Sequence, residues 1–231
     1  KIYIVLPMNT ELLVEKYLLI IDEFMKKGKW MHAVKVIKQL ISSETEILDG
    51  TLHYRLGVCY FHLNLKNKAK KHLRMSVNNS TDHPDAWYYL GVIYEEQDML
   101  VDAIKAYSMA LKLNNEPMLE AKFALAKIYY KLGMFENALR FFEEIYEANQ
   151  FNLEIIELLG ACYAHVKMWM MAYKNLKRAI MLGSKNPEVI YNFCKVLRQL
   201  RYYQELRAFL RFIEEKIDSV LAENIRMEFL F

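Results

Sequence analysis

The chain has 231 residues, 54% of them hydrophobic and 26% charged, a balance that supports a folded core and excludes a mainly disordered chain. Its formal net charge of +3, from 31 basic and 28 acidic residues, is too even to make a polyelectrolyte the default partner. Seven glycines and four prolines are too few for the turns of an all-β or α/β domain of this length, so a mostly helical protein is predicted. No apolar run approaches the ~20 residues that cross a bilayer, the longest near the N-terminus being interrupted by Asp22 and Glu23. The chain begins at Lys1 rather than Met, so upstream sequence is expected to have been processed or left out. A cytoplasmic location is the expectation. Cys59, Cys162 and Cys194 are too few for a disulfide framework and sit in apolar helical patterns, which predicts reduced, buried thiols.

In chain order, Ile2, Tyr3, Ile4 and Val5 form a β-prone run ending at Pro7, and residues 1–9 read as an extended tail that packs on an apolar surface. A helical pattern follows, and with it a repeat. Leu56-Gly57-x-x-Tyr60, Leu90-Gly91-x-x-Tyr94, Leu125-Ala126-x-x-Tyr129 and Leu159-Gly160-x-x-Tyr163 recur at offsets of 34, 35 and 34. An alanine follows in each block (Ala69, Ala103, Ala138, Ala172), then a large residue (Leu73, Tyr107, Phe142, Leu176). Apolar positions at i, i+3, i+4 and i+7 make two amphipathic helices per block, and a period of this length marks a repeat array. Degenerate copies extend the frame outward through Ile21, Ala33 and Ile37 and through Phe193, Leu197, Leu206 and Leu210. Repeats are predicted to start at Val14, Gly50, Pro84, Leu119, Leu153 and Pro187, giving a solenoid over 10–220 and a capping helix, or the start of a further repeat, over 221–231.

The glycines and prolines test this frame. Gly57, Gly91 and Gly160 are read as close-approach positions, Gly28 and Gly133 as turns within a repeat, and Gly50 and Gly183 as helix C-caps at repeat junctions, with Pro84, Pro117 and Pro187 opening or preceding helices. Pro84-Asp85-Ala86-Trp87-Tyr88-Tyr89-Leu90-Gly91-Val92-Ile93-Tyr94, followed by Ala103, Tyr107 and Ala110, closely resembles a tetratricopeptide repeat, and the resemblance covers about residues 14 to 220. It departs at Asn115, Gln150 and Ser184, which stand where the family has a late proline. The resemblance implies an all-α, right-handed superhelical solenoid of antiparallel helix pairs. It also implies a non-catalytic adaptor, scaffold or chaperone that binds proteins in a concave groove lined by the first helices. Two readings from other classes are an RNA-binding array of pentatricopeptide type and a regulatory segment of a larger enzyme.

All seven glycines have repeat roles, so no phosphate loop is left, and no G-x-S-x-G or H-E-x-x-H occurs; no cofactor is expected. Cys59-x-x-His62 and Cys162-x-x-His165 share a helix face at i, i+3, but they lie three repeats apart and cannot share one ion. The plainer reading places each cysteine between helices and each histidine toward the groove. Lys66, Lys68, Lys70, Lys71 and Arg74 crowd one second helix without aromatic partners, as a solvated outer face does.

In the family the groove is lined by the second, fifth, sixth, ninth, twelfth and thirteenth residues of each repeat. Here those places include Tyr54, Phe61, Tyr88, Tyr89, Phe123, Tyr130 and Tyr191, an aromatic series that packing within the repeat does not require and that reads as a binding surface. Glu95 and Glu96 mark its middle, and Lys127, Lys131, Lys195 and Arg198 its later part. The expected partner is an apolar protein or peptide segment carrying acidic residues. No repeat carries the lysine and asparagine pair with which co-chaperone members hold a heat-shock carboxylate tail, so that tail is a poor partner, as is nucleic acid; self-association stays open.

Overall fold

The computed structural model describes residues 10–42, 49–79, 83–114, 118–150 and 152–229, and these form thirteen α-helices with no strand among the described residues. The predicted tail over 1–9 and the junction residues Asn115 and Pro117 lie outside them. The chain divides into two compact units, Lys1–Ala121 and Lys122–Phe231. The first unit holds α1 (Thr10–Lys26), α2 (Trp30–Ser42), α3 (Asp49–His62), α4 (Lys66–Asn79), α5 (Pro84–Glu96), α6 (Leu100–Leu113) and the opening residues of α7 (Leu119–Lys131). The second holds the rest of α7, α8 (Phe135–Ala148), α9 (Leu153–His165), α10 (Trp169–Met181), α11 (Pro187–Gln199), α12 (Tyr203–Lys216) and α13 (Ser219–Phe229). From α1 to α12 odd-numbered helices are the first of each pair and even-numbered ones the second, and α2, α4, α10 and α12 each pack against both their own partner and the helix that follows. This is an all-α array of antiparallel helix hairpins.

The same local chemistry closes each first helix. A residue in the left-handed region ends it, and a backbone N–H reaches back to a carbonyl one turn inside: Lys29 to Phe24, Leu65 to Tyr60, Met99 to Tyr94, Met134 to Tyr129, Met168 to Tyr163 and Tyr202 to Leu197, at 2.8–2.9 Å. This closure satisfies carbonyls that the helix leaves without partners. Gly28 and Gly133 supply the left-handed residue twice, as the frame requires, whereas Asn64, Asp98, Lys167 and Arg201 adopt it at φ 56–62° in the other pairs. Gly183 turns the chain at a junction with φ 92°. Gly50 corrects the expectation of a C-cap, because it lies in the first turn of α3. Its place at the junction follows from opening a helix, not from ending one.

Small residues set the helix spacing within each pair. A Cβ added at Gly57 would lie 2.6 Å from Leu73, at Gly91 2.6 Å from Tyr107, and at Gly160 2.7 Å from Leu176. The small residue of a first helix therefore receives the large residue of its own second helix. Ala69, Ala103, Ala138 and Ala172, all fully buried, let the second helices approach in turn. Each buried large side chain contributes roughly 1.5–3 kcal/mol. No helix among the described residues is long and apolar enough to cross a membrane.

Candidate functional site

In the first unit the predicted aromatic residues are half-buried and bind helix to helix. Tyr54 of α3 stacks on His83, just ahead of α5, with ring centroids 5.4 Å apart and planes 7° apart, and its hydroxyl donates to Asp85 at 3.5 Å. Phe61 meets the edge of Tyr89 at 5.0 Å, so two groove positions of α3 grip α5. Tyr88 lies 5.7 Å from Tyr89 and 5.8 Å from Tyr107 of α6. Tyr88 thus leans on its own second helix, which corrects the expectation that packing within the repeat is met without it. Burial raises the hydroxyl pKa of Tyr54, Tyr88 and Tyr89, the desolvation penalty on phenolate.

The two acidic residues predicted for the middle of the groove are already engaged. Glu95 accepts the hydroxyl proton of buried Tyr107 at 2.8 Å, and Glu96 pairs with Lys66 of α4 at 2.7 Å. The second contact marks a place that sequence reasoning missed. The opening residue of a second helix meets the closing residue of the next first helix: Lys66 with Glu96, Trp30 stacked on His62 at 4.1 Å, and Phe135 stacked on His165 at 3.8 Å. The histidines of the two Cys-x-x-His pairs are therefore held in inter-repeat stacks, and burial lowers the pKa of both. Cys59, Cys162 and Cys194 are free and buried, their thiols pushed up to about 12 by desolvation. Among the described residues no three His, Cys, Asp or Glu side chains gather to hold a metal ion.

In the second unit, Phe123 rests against Phe142 of its own repeat at 6.1 Å, the counterpart of Tyr88 on Tyr107. Tyr130 reaches further, its hydroxyl donating to Glu188 at the start of α11. Between them α9 presents its second, fifth, sixth and ninth residues, Glu154, Glu157, Leu158 and Ala161, to a cleft of about 220 Å³ that Tyr130, Asn186, Glu188 and Val189 complete. Of its carboxylates, Glu157 holds the fifth, groove-facing place of its repeat, whereas Glu154 and Glu188 were not predicted there. Glu154 receives Lys127 at 3.2 Å and Glu157 the Asn186 amide at 3.3 Å, while Lys127 also lies 5.2 Å from the centroid of Phe123. The remaining predicted residues are not gathered there. Lys195 opens on a separate depression with Ala164, His165, Lys167, Trp169 and Gln199, and Lys131 is exposed at the end of α7. Tyr191 donates to Glu228 at 2.5 Å and lies 5.3 Å from Phe229, over which Arg198 also sits at 5.7 Å. Residues of α13 thus pack beside Tyr191 and Arg198 on α11.

Helix pairs closed by one repeated turn, spaced by small residues and presenting the same places of their first helices, define an all-α repeat protein of the protein-interaction class. Residues 84–116 and 102–152 match two family models, each described as tetratricopeptide repeat. The chain carries tetratricopeptide repeats. It is 22% identical over 202 residues to Tetratricopeptide repeat protein 8 of Caenorhabditis elegans, covering 84% of this chain and 39% of that relative's length. Among solved structures it is similar to YrrB, a TPR protein with an unusual peptide-binding site, at TM-score 0.71 and 17% identity, over 83% of this chain and 97% of that one. It is also similar to MamA, at TM-score 0.59 and 23% identity, over 70% and 93% of the two chains. Proteins of this family are in general non-catalytic scaffolds.

Proposed function

We propose that the chain is an adaptor or scaffold that holds an apolar protein segment against the inner faces of its first helices. The observation that carries this reading is the cleft on α9, where four places of one repeat converge on a recess bounded by Tyr130 and Glu188. A recess lined by Tyr130, Leu158, Ala161 and Val189 together with three carboxylates and the Asn186 amide suits capture of a partner side chain that has an apolar stem and a polar end. A peptide-binding site in the structurally similar YrrB is in keeping with this use of the fold. The partner's acidic residues are read by the basic groups of the second unit, and at Lys127 they compete with Glu154, which already holds that ammonium. Glu157 and Glu188 give the same cleft a place for a donor on the partner.

A photo-reactive phenylalanine analogue in place of Leu158, which lines the cleft, tests the proposal. Cross-linking in cell extract and mass spectrometry would identify a contacting segment, whose synthetic peptide is then titrated against the chain and against Tyr130→Ala. The expected result is a loss of affinity of about tenfold or more, corresponding to a residue worth ~1–2 kcal/mol, with the melting temperature measured in parallel. No cross-linked segment, or unchanged affinity in a folded Tyr130→Ala variant, would show that this recess does not carry the binding.

A further inference from the structure

We infer that the outer face of α2 and α4 in the first unit is a docking surface for an acidic protein segment, separate from the groove and not dependent on it. Neither helix contains an aspartate or glutamate. Trp30 and Lys66 open the two helices, so Lys35 and Lys71 take equal places, as do Lys38 and Arg74. The two rows converge in space: the ammonium groups of Lys38 and Lys68 lie 5.9 and 5.8 Å from the centroid of one ring, that of Tyr60 in α3. Lys66 and Lys70 are committed to Glu96 and Gln97. Lys35, Lys38, Lys68, Lys71 and Arg74 are exposed, and none forms an ion pair with a described carboxylate. Like charges held together repel one another, and a polyanionic partner relieves that repulsion while being steered to the face.

The surroundings decide which polyanion fits. The exposed residues of α2 and α4 include no Phe, Tyr or Trp, and Tyr60, beneath the lysines, is only 5% exposed. No phenyl, phenol or indole ring is therefore offered for base stacking, on which single-stranded nucleic acid binders mainly rely. Met31 is the one exposed apolar residue of the two helices, so no wedge enters a bilayer as interfacial helices require. Four of the five basic groups are lysines, compact point charges without the fork by which arginine grips phosphate. Carboxylates on a flexible segment need neither ring, wedge nor fork.

The test uses the full chain and a fluorescein-labelled twelve-residue polyglutamate peptide, read by anisotropy at low ionic strength. Binding is expected to weaken with added salt and to fall at least ~10-fold in the Lys35→Glu/Lys71→Glu double variant. Lys185→Glu/Lys216→Glu, which changes net charge equally in the other unit, should bind as the parent does. If the first variant is misfolded by circular dichroism, Lys35→Gln/Lys71→Gln replaces it and should give a smaller loss in the same direction. No binding of the peptide, equal loss in both double variants, or tighter binding of a 20-base-pair DNA duplex or phosphatidylserine vesicles would each overturn the assignment.

Discussion

At the residue scale, spacing inside a helix pair rests on single small side chains. At Gly91 an added methyl meets the Tyr107 ring at 2.6 Å, and that ring is fully buried with its hydroxyl fixed on Glu95, so it has little room to retreat. Alanine gains up to ~1 kcal/mol of helix propensity over glycine, but overpacking costs about 1–3 kcal/mol. Gly91→Ala is therefore expected to lower stability by ~1–2 kcal/mol, read from urea midpoints; an unchanged or raised midpoint would contradict the packing described. This small-and-large pairing was legible in the sequence, because both partners recur in the four middle copies. A second residue, His72, was not legible: its Nδ1 lies 3.2 Å from Nδ1 of buried His53, a contact between two helix faces that no periodicity reveals. Burial, then the neighbouring His53, Lys71 and Lys38, lowers the His72 pKa to about 4, below the ~6.5 of an unfolded chain. The unfolded state thus binds the extra proton first, so this contribution to stability is complete above pH ~6.5 and is lost as pH falls toward 4. Melting temperatures between pH 7 and 4.5 should fall less steeply in His72→Gln than in the parent. Parallel curves would show that His72 does not carry the effect.

At the element scale, the repeated closure of the first helices is a property of backbone geometry that several residue types can meet. Two glycines announced it, but Lys167 and Arg201 occupy the same left-handed conformation at φ 62° and carry no signal of it in their side-chain chemistry. For an L-residue that conformation costs roughly 1–2 kcal/mol, while glycine loses about 0.5–1 kcal/mol more backbone entropy on folding. Lys167→Gly should therefore raise stability by about 0.5 kcal/mol, seen as a small increase in melting temperature. A clear decrease would mean that the Lys167 side chain contributes more than its backbone strain costs. The contact between the opening of one second helix and the end of the next first helix is hidden in another way. Trp30 with His62, Lys66 with Glu96 and Phe135 with His165 share a place but not a chemistry, so aligning the copies does not expose it.

At the scale of the whole molecule, the helices in substantial contact are neighbours or next-but-one in the chain. Stability in such an array is close to a sum of repeat and neighbour terms, and a single all-or-none transition does not follow from it. Trp30 and Trp87 lie in the first unit and Trp169 in the second, so Trp30→Phe/Trp87→Phe leaves fluorescence to report the second unit alone. Its urea midpoint is expected to differ from that of far-ultraviolet circular dichroism, which reads all helices; coincident midpoints at two temperatures would argue for one cooperative body. The sequence by itself determined the helical class, the period, the helix pairs and the small residues between them, because each of these depends on neighbours within one repeat. The resemblance to the repeat family also named the aromatic places of the first helices, which helical periodicity keeps on one face. Only the tertiary structure decided what those places do. It set Tyr54 and Phe61 against α5, put Tyr88 and Phe123 against their own second helices, joined Tyr130 to Glu188 across the α9 cleft, and laid α13 beside Tyr191 and Arg198. Which partner a side chain meets depends on the rotation and spacing between successive repeats, and that geometry is the outcome of many packed contacts rather than of any one motif.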